Sequence, residues 1–78
     1  MYKNKQSLKT IFAEALGHYN KRDYKTAEVF CYKIISIDRN HFDSISLLAN
    51  IFAIKKNFDK AKEFLEKAIK IQPENTTI

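Results

Sequence analysis

Three side chains in this sequence have the chemistry of nucleophiles or soft metal ligands: His18, Cys31 and His41. None stands three or four residues from another, and no second ligand pair follows, so the spacing of a metal site is missing. A reactive thiol needs a lowered pKa and access to solvent. Cys31 instead sits in an apolar run, Phe30-Cys31 and then Ile34-Ile35, where it reads as a small buried hydrophobe. As the only cysteine it also has no internal disulfide partner, which suits a reducing, cytosolic setting. His18 falls on the packing side of its segment, and His41 precedes a helix and helps to form a turn. One glycine cannot make a phosphate-cradling loop, and the carboxylates are interleaved with lysines rather than isolated for acid–base work. The expectation is therefore no catalytic, cofactor or metal site, and a chain that is not an enzyme.

The elements that would carry any other function are helical. Apolar residues recur at spacings of three and four through four segments, about 8–20, 24–37, 42–55 and 59–72. Ser7 can cap the first, Asn57 or Asp59 the last, and Pro73 stops the last helix because it lacks an N–H and disfavours helix before it. Gly17 weakens the first by about 1 kcal/mol relative to alanine. Short polar breaks, Lys21-Arg22-Asp23, Asp38 to His41, and Lys56-Asn57, separate them.

Sliding the chain on itself by 34 residues superposes Ile11 on Ile45, Ala15 on Ala49, Ala27 on Ala61, Phe30 on Phe64 and Ile35 on Ile69, among eight identities. Asp23-Tyr24 falls on Asn57-Phe58 at the turn, where geometry restricts residue choice most. The chain reads as two copies of one helix-turn-helix unit, residues 8–41 and 42–75, with a frayed tail at 76–78, in a single domain.

At these positions the sequence resembles the tetratricopeptide repeat family. Asp23-Tyr24-x-x-Ala27 and Asn57-Phe58-x-x-Ala61 look like its turn and the small alanine where its two helices cross; Ala15 and Ala49 look like the other small crossing position. Leu65, Ala68 and Pro73 follow the rest of the pattern, and Phe52 and His18 stand where it prefers a bulky aromatic. Departures gather in the first copy. Glu14 takes the place of a leucine that Leu48 supplies in the second, Arg39 replaces the closing proline, and Arg22 and Lys56 both replace the turn glycine. These predict a first helix that is shifted or less tightly packed. The resemblance implies an all-α fold of four antiparallel helices stacked as a short α-solenoid.

It also implies a function in surfaces rather than in catalysis. In the family the first helix of each unit lines a concave groove that holds an extended or helical segment of a partner protein. Carried over by position, Lys9, Phe12, Leu16, Tyr19 and Asn20 of the first unit and Asp43, Ser46, Asn50, Ala53 and Ile54 of the second would face it. Phe12, Leu16 and Leu47 stand where chaperone-binding members clamp a terminal carboxylate, so that clamp is disfavoured, whereas Asn50 matches a groove amide of sugar-transferring members. An equal alternative is that Phe12, Leu16 and Tyr19 pack against a neighbouring repeat, a second chain or the N-terminal residues.

Charge does not favour a different class. The net +5 divides as +2 over residues 1–7, +2 over 8–41 and +1 over 42–75, so no segment is a polybasic block of the kind that binds nucleic acid. Lys3, Lys5 and Lys9 faintly suggest a signal peptide, yet Glu14 interrupts the only apolar run that follows, so the expectation is a cytoplasmic protein outside membranes. Two repeats bury little surface, so the exposed ends of the stack are expected to join a longer repeat array or a homo-oligomer. The remaining alternatives are the non-catalytic repeat region of a larger enzyme, such as a glycosyltransferase, and RNA binding.

Overall fold

The computed structural model describes residues 7–72, so Lys3, Lys5, Pro73 and the tail expectation at 76–78 lie outside the described residues. Four helices follow in order: α1 (Leu8–Asn20), α2 (Tyr24–Ile37), α3 (Phe42–Ile54) and α4 (Phe58–Ile71). The spacing located them to within a residue. α3 stops at Ile54 with Lys55 as its cap, and α4 stops at Ile71 with Gln72 as its cap.

Each helix begins where a side chain accepts an otherwise unpaired backbone N–H. Ser7 accepts from Thr10, Asp23 from Thr26, His41 from Ser44 and Asn57 from Lys60. The choice between Asn57 and Asp59 thus falls to Asn57. His41 does more than shape a turn: its Nδ1 accepts the Ser44 N–H at 3.2 Å and lies 2.8 Å from the Ser44 hydroxyl.

The two intra-pair turns are the same turn. α1 ends as Arg22 donates to the Tyr19 carbonyl at 3.0 Å and Asp23 to the His18 carbonyl at 2.8 Å. α3 ends as Lys56 donates to Ala53 at 3.0 Å and Asn57 to Phe52 at 2.8 Å. This pair of bonds requires a left-handed residue after the helix. Arg22 (φ 66°) and Lys56 (φ 64°) adopt that conformation without being glycine.

α1 packs on α2 and α3 on α4 as helical hairpins, and α3 also packs on α2. α3 is consequently the covered helix: Ser44, Ile45, Leu47, Leu48, Ala49, Ile51 and Phe52 are all buried, against Ile11 and Ala15 in α1. α1 is less tightly packed, as expected, but not shifted, since both its ends fall 34 residues before those of α3. Aromatic packing follows the same offset. His18 stacks on Phe30 at 5.5 Å, and Phe52 stacks on Phe64 at 5.7 Å.

Candidate functional site

Packing on α2 and α4 leaves α3 one open stripe. Its exposed residues are Asp43, Asn50, Ala53 and Ile54, with Ser46 half-buried, and these are the five positions expected to face a partner. Their spacing of three and four keeps them on one side of the helix, opposite the residues that pack on α2 and α4. Asp43 lies in the first turn, where a negative charge suits the positive end of the helix dipole.

The equivalent five in α1 divide. Lys9, Leu16 and Asn20 are exposed. Phe12 and Tyr19 are partly buried and pack against the core, Phe12 also meeting the His41 ring at 5.8 Å and Tyr19 the edge of Tyr24 at 5.6 Å. Phe12 thereby ties α1 to the start of α3. Both aromatics are only partly buried, Phe12 joining the two hairpins and Tyr19 packing α1 on α2, so the packing alternative describes part of their role. Leu47 is 5 % exposed and cannot contribute to a carboxylate clamp.

The residues considered for chemistry have structural employment. Cys31 is fully buried, and burial, with Glu28 adding to it, pushes its thiol up to about 12. A thiol held neutral is a poor nucleophile. His18 combines its stack on Phe30 with an Nδ1 contact to the Asp23 carboxylate at 3.3 Å. The Asp23 carboxyl is held below the usual range, first by its hydrogen bonds from Thr26 and then by His18. Among the described residues no three His, Cys, Asp or Glu side chains gather as metal ligands do, and no helix is long and apolar enough to cross a membrane.

Two contacts between the hairpins escaped the sequence reading. Lys55 Nζ pairs with Glu28 Oε2 at 3.2 Å, joining the end of α3 to α2, and Tyr32 meets the edge of Phe64 at 6.2 Å. Twenty-seven residues separate the first pair, and no local pattern announces a contact of that range.

The family model of the tetratricopeptide repeat matches residues 43–75, which contain nearly all of α3, the Lys55–Asn57 turn and α4. No curated protein and no solved structure matches the chain. Repeats of this kind mediate contacts between proteins and are typically scaffolds rather than catalysts. With its turn, crossing alanines and second hairpin in place, the chain carries a tetratricopeptide repeat, and its four stacked helices have the all-α architecture of such repeats.

Proposed function

We propose that the chain is a non-enzymatic, cytoplasmic protein-interaction module of two tandem tetratricopeptide units, 8–41 and 42–75, which holds a peptide or helix of a partner along α1 and α3. The observation that carries this reading is the open stripe of α3, where Asp43, Asn50, Ala53 and Ile54 remain in solvent on the helix that is otherwise most covered. The caps, left-handed turns and ring stacks that recur after 34 residues support a first unit built like the second.

The stripe combines apolar and polar groups. Leu16, Ala53 and Ile54 would bury apolar side chains of the bound segment, while the Asn20 and Asn50 amides, each both donor and acceptor, would pair with its backbone. Peptides selected from a random display library against the chain provide the test. Replacing Leu16 and Asn50 together by alanine, both exposed and hence without consequence for folding, is expected to weaken the selected peptides at least about tenfold, the usual result of truncating two central contact residues. Affinity unchanged in that variant would remove the α1–α3 face from the account.

A further inference from the structure

The positive charge of the molecule lies at one end of the helices. α1 and α2 form one hairpin and α3 and α4 the other, and α3 runs back along α2. Lys55 at the end of α3 pairs with Glu28 in the second turn of α2 at 3.2 Å. The two tight turns, Lys21–Asp23 and Lys55–Asn57, therefore stand side by side at the same end, about 10 Å apart, the spacing of packed helices. Residues 21–25 and 55–60 at this end carry six cations and two acids. The other described residues carry six cations and six acids, which cancel. The fold thus gathers on one edge the whole excess positive charge of the described residues, although no segment of the sequence is polybasic.

That charge is largely free. Lys21, Arg22, Lys25 and Lys56 are exposed and enter no ion pair. One of the two acids is already engaged, since the Asp23 carboxylate accepts the Thr26 N–H and lies 3.3 Å from His18 Nδ1. At the same edge Phe58, the first residue of α4, is 64 % exposed, the most exposed of the large apolar side chains.

The chemistry of this edge selects among anions. Five of its six cations are lysine, a compact point charge that suits a diffuse anionic surface, whereas arginine's planar fork is preferred for fixed carboxylates and phosphates. A single-stranded nucleic acid is held in a basic groove with successive aromatic platforms. Here the ring that repeats Phe58 is Tyr24, which is partly buried with its edge on Tyr19, so one platform remains, on protruding turns. A bilayer with anionic lipids presents charge at its surface and hydrocarbon behind it, the two properties that lysines around an exposed phenylalanine match. We infer that the turn edge binds the surface of such a bilayer, with the turns at headgroup depth, Phe58 at the acyl boundary and the helices standing away from the membrane. Binding of this kind needs no helix able to cross it.

Flotation of the full chain with phosphatidylcholine vesicles containing about 30 % phosphatidylserine tests the inference. Binding is expected at about 0.1 M salt, and is expected to be lost at about 0.5 M and on phosphatidylcholine alone. Lys21→Gln with Lys56→Gln should weaken it about twenty-fivefold, about fivefold for each cation removed. Lys33→Gln with Lys67→Gln changes the net charge equally, but at exposed sites about 15 Å along α2 and α4 from the caps, beyond the screening length of about 8 Å, and should weaken it about twofold at most. Phe58→Ala should weaken it about fivefold at unchanged salt dependence. Circular dichroism matching the unaltered chain checks that these exposed substitutions leave the fold intact.

Equal losses in the two double variants would reduce the effect to net charge and overturn the inference, as would equal binding to neutral vesicles. Unchanged binding of Phe58→Ala also overturns it, because any polyanion would then fit the edge as well. Absence of vesicle binding overturns it outright; retention of a single-stranded oligouridine or of polyglutamate in its place, lost in Lys21→Gln with Lys56→Gln, would give the edge to nucleic acid or to an acidic protein segment. None of these readouts involves Leu16 or Asn50, so failure here leaves the α1–α3 reading standing.

Discussion

Arg22 and Lys56 hold backbone conformations that cost a side-chain-bearing residue about 1 kcal/mol and glycine almost nothing. Neither side chain is buried, so nothing offsets that strain by packing. Lys56→Gly is expected to raise stability by about 0.5 kcal/mol once the greater freedom of glycine in the unfolded chain is subtracted, read as a shift of the urea midpoint at unchanged slope. The buried thiol makes a prediction in pH. Cys31 is raised from an ordinary 9.0 to about 12 in the folded protein, first by burial, and Tyr32 is raised by burial too. A group raised on folding contributes fully below its unfolded value, so stability should decline as pH climbs from about 9 towards 12. Cys31→Ala, which removes the titrating thiol, should flatten part of that decline in alkaline urea melts. Asp23 runs the other way: its contribution, set first by Thr26, is present at neutral pH and is lost as acid protonates it.

At the scale of the element, α1 is the weakest built. It contains the only glycine, buries two residues where α3 buries seven, and has no acid in its first turn. A Cβ added at Gly17 meets nothing within 4 Å, so the site is open space on an exposed helical surface. Gly17→Ala should therefore stabilise the protein by about 1 kcal/mol, the full difference in helix propensity, seen as a higher thermal midpoint. The capping residues explain why the helices were legible at all: Ser7, Asp23 and Asn57 carry short side chains that pair with an N–H three residues on, a rule that needs no tertiary information. His41 was less legible. Histidine is not a usual cap, and its role rests on a tautomer with an accepting Nδ1 and on the buried Ser44 hydroxyl beside it.

For the whole molecule, α3 is the centre of packing, although α4 carries the cleaner amphipathic pattern. Leu48 and Ile51 are fully buried between neighbouring helices, whereas Ile37, an apolar residue of the same helical periodicity, is 63 % exposed. Leu48→Ala should cost about 2–5 kcal/mol, enough to unfold much of a protein this small, while Ile37→Ala should change stability by less than about 0.5 kcal/mol. Denaturant melts of the two variants side by side would expose an error if they matched.

The sequence by itself determined the number of helices, their ends to within a residue, the 34-residue repeat and the tetratricopeptide turn, because periodicity, capping and turn chemistry are local and reach only four or five residues. Of the five α3 positions it singled out, Asp43, Asn50, Ala53 and Ile54 are exposed and Ser46 is half-buried. Tertiary structure decided which apolar stripes are covered. Tyr24, Cys31 and Ile35 look no more apolar than Phe58, Leu65 and Ile69, yet the first set is buried or partly buried in the core and the second is open. Periodicity tells a helix that it has an apolar face; only the packing of the next helix, through contacts such as Lys55 on Glu28 across twenty-seven residues, decides whether water remains on it.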